Sequence, residues 1–231
     1  MIRDTCPFPF PGYPKPNERL LAMSRKQEIL TAASELFSQR GFHATSIRHL
    51  ARALGVQGGS LYAHISSKEE LLVEIVRRAA ERFLAVRDRL VGSPVQKLRT
   101  LVRAHLDVIA QEQASATVFF HEWKFLPEEK RRQVLAWRDA YERLVQEVVE
   151  EGVLAGLFRV ENPRLATLFL LSALNWTYQW YRKDGPLSLE ELSEEYARLA
   201  LSALGAREVE DGEAQDRTPG GPGLPGEAGG V

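Results

Sequence analysis

At 231 residues, 44% hydrophobic and 26% charged, the chain has a globular balance and is long enough to bury a core without covalent staples. Its single cysteine, Cys6, excludes an internal disulfide framework and a cysteine-built zinc cage. The net charge of −1 hides an asymmetry: residues 24–68 carry six Lys or Arg against two Glu, and residues 206–231 carry two Arg against six acids. A basic segment in a neutral chain points to a polyanionic partner, although an ordinary solvated surface reads the same way. The most apolar run, 165–176, is interrupted by Thr167 and Ser172 and is too short to span a bilayer. Pro7, Pro9 and Pro11 break the only N-terminal aromatic stretch, so no secretory core is read and the chain is expected to be cytoplasmic with no membrane partner.

Residues 1–22 hold five prolines and no helical period, and read as a flexible arm. Met23 directly precedes the first helical pattern and is an alternative start. Residues 206–231 hold seven glycines and three prolines among acids, the composition of a disordered tail. Gly221, Gly223 and Gly226 match a dinucleotide fingerprint, but no strand precedes them and Pro222 and Pro225 sit inside, so the match is compositional.

Everything between reads as helix. Apolar residues recur with a 3.6-residue period at Ile29, Ala33, Leu36 and Phe37; at Leu72, Ile75, Val76, Ala79 and Phe83; at Leu98, Leu101, Val102, Leu106 and Ile109; and at Val134, Trp137, Tyr141, Leu144, Val145 and Val148. No stretch alternates with period two. Ser93-Pro94, Pro127, Asn162-Pro163 and Ser188 mark starts; Gly41, Gly55, Gly92, Gly152 and Gly185 mark ends. The expectation is an all-α protein of about nine helices with short connections.

Residues 24–72 carry the functional signal. A first helix over 24–40 ends at Gly41. Thr45 is placed to cap a short helix over 46–54, and Gly55 stops it. A third short helix covers 57–64. Ser66 or Ser67 caps a fourth, Ser67 and Glu70 making a capping box. Two short helices across a glycine turn form a helix-turn-helix, whose second helix enters the major groove.

The run Ile29-Leu30, Ala33, Leu36-Phe37, Gly41-Phe42, Thr45-Ser46-Ile47, Leu50-Ala51, Leu54-Gly55-Val56, Gly59-Ser60-Leu61-Tyr62, His64-Ile65 and Ser67 through Leu71 resembles the TetR family of bacterial transcriptional regulators. The resemblance implies a helix-turn-helix head over 23–70 that binds double-stranded operator DNA, and an effector-binding and dimerisation region over 71–205. It implies a phosphate at Thr45, the phosphate-contacting tyrosine at Tyr62 and the phosphate-binding lysine at Lys68. Gln57 and Ser60 are candidates for base edges, since glutamine pairs bidentately with adenine. Arg48 reaches either backbone or groove, and Gly58, Gly59 and His64 complete the DNA-facing set. Tyr62 reads alternatively as a buried tyrosine. His43, His49 and His64 read as DNA-facing or surface groups, because no carboxylate or cysteine is spaced with them for a metal. Gly58 stands where the family often has lysine, and Ala63 and Ile65 replace commoner aromatics. Two glycines in a short helix each cost roughly 1 kcal/mol relative to alanine, so this helix is expected to be loose off DNA and to lie close to the duplex.

In the second half, residues 163–183 and 188–204 would form the homodimer interface of the family as a four-helix bundle, the alternative being a core helix of a monomer. His121, Trp123, Trp137, Tyr141, Leu171, Asn175 and Tyr178 are candidates for a ligand pocket, an apolar site with a few polar groups, against the alternative that they are plain core residues. The stretches around 122–127, 138–142 and 175–188 resemble the TetR subgroup that responds to acyl-coenzyme A thioesters in fatty-acid, phenylacetate or sterol-derived catabolism. The nucleotide phosphates would then lie near Arg77, Arg78, Arg82, Arg87 or Arg103. A multidrug sensor of cationic compounds is the competing reading, with Glu122 as its acid; a DNA-bridging protein without effector is another. No catalytic, cofactor or metal-binding motif is read: there is no nucleophile spacing, no phosphate loop and no helical Glu-x-x-His, and the chain is expected not to be an enzyme.

Overall fold

The computed structural model describes residues 24–206, in which the chain forms nine α-helices and no strand. The arm of residues 1–22, the start at Met23 and residues 207–231 of the acidic tail lie outside the described residues. No helix among the described residues is long and apolar enough to cross a membrane.

Helix α1 (Arg25–Arg40) is capped by Ser24, whose hydroxyl accepts the Gln27 amide, and it stops at Gly41, where φ is +82°. Its Ile29, Leu30, Ala33 and Phe37 are buried. Helix α2 (Ile47–Ala53) is capped by Ser46, not by Thr45. The Ser46 hydroxyl accepts the His49 amide and His49 Nδ1 accepts the Ser46 amide, each at 3.2 Å. An imidazole therefore closes the box usually closed by a carboxylate. Gly55 has φ +67°, and a Cβ at this position would meet no atom within 4 Å, so its dihedral alone calls for glycine. The Val56 amide then bonds the Ala51 carbonyl at 2.9 Å in a Schellman-type closure.

Helix α3 is a single turn, Gly58–Leu61, shorter than the expected 57–64. Its two leading glycines are the poorest helix formers after proline, and the chain continues to Ile65 only as turns bonded to the Leu61 carbonyl. Helix α4 (Lys68–Leu84) is capped by Ser67, which accepts the Glu70 amide at 3.1 Å. The expected capping box is half made, because the Glu70 carboxylate pairs with Lys130 instead. Beyond Leu84 the helix tightens into a 3₁₀ turn (Ala85–Arg89), a common way to spend the last carbonyls before a turn such as that at Gly92.

Helices α5 (Pro94–Gln111), α6 (Gln113–His121), α7 (Glu128–Leu154), α8 (Pro163–Trp180) and α9 (Leu189–Ala203) complete the described fold, with a 3₁₀ turn (Trp123–Phe125) between α6 and α7. Ser93 with Gln96 and Ser188 with Glu191 make full capping boxes, and Asn162 caps α8. Helix α4 packs on α6 and α7, α5 on α7, α8 and α9, and α7 on α8. Helix α6 also packs on α1, so the first helix rests on the second half of the chain. One stripe of α8 stays uncovered: Leu165, Leu168, Phe169, Trp176 and Trp180 are exposed, Phe169 by 62%. Leu199 of α9 is exposed as well.

Candidate functional site

The turn between α2 and α3 and the short α3 present a polar face. Gln57, Gly59, Ser60 and His64 are exposed, Gly58 is half-buried, and Tyr62 is 60% exposed, so Tyr62 is not a core tyrosine. Leu61 and Ile65 turn inward and anchor the motif to the core. Arg48 is exposed on α2. A Cβ added at Gly58 or Gly59 would meet nothing within 4 Å. Neither glycine is required by the protein's own packing.

Two residues expected at phosphates make contacts inside the fold. Thr45 is 1% exposed, and its hydroxyl faces the Gly41 carbonyl at 2.9 Å and the Leu36 carbonyl at 3.3 Å, so its proton is used inside the fold. Lys68 is half-buried. Its ammonium donates to the carbonyls of Phe42 at 2.8 Å and Thr45 at 2.9 Å and lies 4.2 Å from the centre of the Phe42 ring. Both residues shape the loop that leads into α2. His49 is spent on the α2 cap, and His43 packs edge-on against Phe125, 4.6 Å between ring centres.

That loop is held from a second side. Glu122, the residue after α6, accepts the Phe42 amide at 2.6 Å. One carboxylate oxygen of Glu122 is therefore engaged by the head. Phe42 itself is 3% exposed and packs on Phe37, 5.3 Å between ring centres. Its N–H goes to the residue that follows α6 and its C=O to the first residue of α4.

The expected pocket residues resolve into two neighbouring groups. His121 Nε2 meets the Tyr178 hydroxyl, and Tyr178 stacks on Phe120 at 5.4 Å. Tyr141 pairs with His105 and lies 5.5 Å from Phe83. Phe83 joins the groups, 5.4 Å from Phe119 and 5.9 Å from Phe120. Leu171 is buried in the same core, while Asn175 and Trp137 are half-buried and make no side-chain hydrogen bond or ring contact among the described residues. Trp123 stands apart, under the guanidinium of Arg138, which lies 5.4 Å from Trp123 and 5.4 Å from Phe119. Burial lowers the pKa of Arg138, partly offset by Asp139 and Glu142.

His105, Phe83, Phe119 and Phe120 belong to this core and are not distinguished by sequence pattern. Each sits at an apolar position of a helix, where a core residue is expected. The interruption of Ala104 and Leu106 by a histidine is the one available signal.

The five arginines expected near nucleotide phosphates all face carboxylates. Arg77 and Arg78 bind Glu74 at 2.9 Å, holding its carboxyl down at about 2. Arg82 pairs with Glu112, Arg103 with Glu190 at 2.7 Å, and Arg87 approaches Glu147 at 4.0 Å. A surface hollow of ≈ 190 Å³ is lined by Arg89, Arg103, Ala104, Asp107, Leu189 and Glu190, and none of the expected pocket residues reaches it. Arg138 is instead a half-buried cation with no carboxylate in ion-pair distance among the described residues.

Two family models match the chain: bacterial regulatory proteins of the tetR family over residues 29–75, and the tetracyclin repressor-like C-terminal domain over 91–204. PfmR of Thermus thermophilus, a TetR family transcriptional regulator of solved structure, is 35% identical, with a TM-score of 0.70 over 75% of this chain and 97% of its own. The transcriptional repressor KstR2 of Mycobacterium tuberculosis is 28% identical over 186 residues, 78% of this chain and 93% of its own. Its structure, solved as a ketosteroid transcriptional regulator, superposes with a TM-score of 0.75 over 80% and 96% of the two chains at 26% identity. AibR, solved in complex with isovaleryl coenzyme A and operator DNA, is 26% identical with a TM-score of 0.69 over 76% and 97%. With a helix-turn-helix that exposes Gln57, Ser60, Tyr62 and His64, a helical second half and these matches, the chain belongs to the TetR family of bacterial transcriptional regulators, DNA-binding regulators and not enzymes.

Proposed function

We propose that the protein is a homodimeric repressor that holds a palindromic operator and releases it when an acyl-coenzyme A thioester, or another apolar effector carrying a carbonyl, enters the core between α4 and α8. Residues 23–70 act as the head and 71–205 as the effector and dimerisation region. Gln57 and Ser60 read base edges; Arg48, Tyr62 and His64 contact groove or backbone; Gly58 and Gly59 let the helix backbone lie close to the duplex. Thr45 and Lys68 hold the loop that sets the head's angle.

The observation that carries this reading is the double tether of Phe42. Its N–H is bound by Glu122, next in chain to the core residue His121. Its C=O is bound by Lys68 at one end of α4, whose other end carries Phe83 in the same core. An effector that both parts His121 from Tyr178 and displaces Phe83 acts on both tethers together. It shifts the DNA-binding equilibrium only as far as its affinities for the two head positions differ. The kinship with AibR, which was solved with isovaleryl coenzyme A and operator DNA, supports the thioester class. The half-buried guanidinium of Arg138 is the cation placed to meet an anionic part of such a ligand.

The exposed stripe of α8 supports dimerisation through α8 and α9. A row of large apolar side chains one or two helical turns apart is costly to leave in water and fits a second copy. Two heads then stand about one helical turn of DNA apart, ~34–36 Å, or a multiple of it.

Gel shift of a palindromic duplex from the protein's own promoter region, with and without octanoyl-coenzyme A, tests the reading. A shifted band that disappears with the thioester supports it. A band indifferent to the thioester and to coenzyme A esters of other lengths overturns the effector assignment.

A further inference from the structure

His105 is 1% exposed in the middle of α5 and is boxed by aromatic rings, Phe83 at 4.8 Å and Tyr141 at 5.7 Å between ring centres. Its Nδ1 lies 2.9 Å from the Tyr141 hydroxyl. Its Nε2 is buried and has no hydrogen-bond partner, the one such side-chain atom among the described residues. Donor and acceptor strength give the direction of that bond. A phenol hydroxyl is a stronger donor than a neutral imidazole N–H, and an imidazole nitrogen is a stronger acceptor than a phenol oxygen. The Tyr141 hydroxyl therefore donates to Nδ1, and the Nε2–H is the donor left without an acceptor. An N–H left without an acceptor among aromatic rings is costly, whereas two apolar groups of the same shape in place of the pair would leave no polar atom unpaired. Packing alone therefore does not account for a histidine at 105.

We propose that the Nε2–H of His105, positioned by Tyr141, is the polar anchor of the effector site and donates to a carbonyl oxygen on an otherwise apolar ligand. The inference rests on the effector reading above and assigns its specificity-determining group. Burial pushes the His105 imidazole down to about 3, so it stays neutral near pH 7 and offers one donor and no charge. A neutral donor beside Phe83 and Tyr141 accepts no proton from a ligand and favours a thioester or ketone oxygen over an ammonium, which would find no acceptor there.

Calorimetric titration of the full-length protein tests this with three probes: octanoyl-coenzyme A, its S-octyl thioether analogue lacking the carbonyl, and 4-androstene-3,17-dione as a carbonyl source without coenzyme A. Each is run on the natural protein, on His105→Phe/Tyr141→Phe, and on His105→Gln, which restores an N–H donor. The natural protein is expected to bind a carbonyl probe, and the thioether about 5- to 150-fold more weakly than the thioester. The double variant is expected to lose the same factor for the carbonyl probes and to melt no lower than the natural protein; His105→Gln is expected to recover part of the affinity. Equal affinity of the double variant for a bound carbonyl probe overturns the anchor and leaves the effector reading standing. A double variant that melts earlier marks the pair as a structural hydrogen bond and also overturns the anchor. Binding of the diketone but not the thioester, lost in the double variant, keeps the anchor and removes the coenzyme A assignment. Silence of the natural protein toward both carbonyl probes overturns both.

Discussion

Glu122→Ala and Glu122→Gln probe the junction between head and core. The Phe42 amide is buried and its recorded acceptor is the Glu122 carboxylate at 2.6 Å. An acid just past a helix C-terminus faces the negative end of the dipole, so Glu122 sits there at a small cost that its contact with Phe42 offsets. A hydrogen bond to a charged partner contributes about 1.5–3 kcal/mol, a neutral one about 0.5–1.5 kcal/mol. Glutamine keeps an acceptor oxygen and is expected to lose about 1 kcal/mol locally. Alanine leaves the amide orphaned and is expected to lose about 1–3 kcal/mol. Hydrogen exchange reads this directly: the Phe42 amide should exchange about 5-fold faster in Glu122→Gln and about 5- to 150-fold faster in Glu122→Ala. Amides in the middle of α5 and α7 should be unchanged. In the same variants, fluorescence anisotropy should show operator DNA still bound but the effector releasing less of it, because one of the two tethers on Phe42 is gone. An unchanged Phe42 exchange rate in Glu122→Ala would refute the tether. Faster exchange with undiminished release would place the whole signal on α4.

Three further outcomes follow from other parts of the structure. Gly58→Ala/Gly59→Ala fits sterically and should stabilise α3, by about 1 kcal/mol per site, yet weaken operator binding if the helix backbone lies against the duplex; tighter binding in anisotropy would remove the close-approach reading. Lys68→Ala strips a cation from two carbonyls and should lower the melting temperature and the operator affinity together; an unchanged melting temperature would refute its hold on the loop. The His105 ring is neutral when folded and near 6.5 when unfolded, so its contribution is whole above pH 6.5 and is lost as pH falls toward 3. Between pH 7 and pH 5 the natural protein should lose about 2 kcal/mol more stability in urea unfolding than His105→Phe/Tyr141→Phe; parallel pH profiles would refute this.

What was legible in the sequence is what local chemistry writes. Ser93, Asn162 and Ser188 cap as hydroxyl and amide side chains do next to apolar periods, and Gly41 and Gly55 stop helices with positive φ. The exposure of Tyr62 and the burial of Leu61 follow from which face of a short helix the core takes. The roles of Thr45 and Lys68 were not legible, because their partners, the carbonyls of Gly41, Leu36, Phe42 and Thr45, are main-chain atoms that every residue possesses and only the loop's path selects. Pairs such as Arg78 with Glu74 could be read from i, i+4 spacing. Arg82 with Glu112 and Arg103 with Glu190 could not, because helices distant in sequence bring them together. His105 was hidden for the opposite reason: on a helix face of Leu101, Val102, Leu106 and Ile109 it reads as one more buried ring until its second nitrogen is found without a partner.

Sedimentation velocity of the full-length protein mixed with a labelled palindromic duplex from its own promoter region, before and after octanoyl-coenzyme A, bears most directly on the account. Two protomers travelling with each duplex, or an even multiple, and separation of DNA from an intact dimer once the thioester is added are the results expected. A single protomer that ignores the duplex, or a complex that the thioester leaves whole, would contradict it.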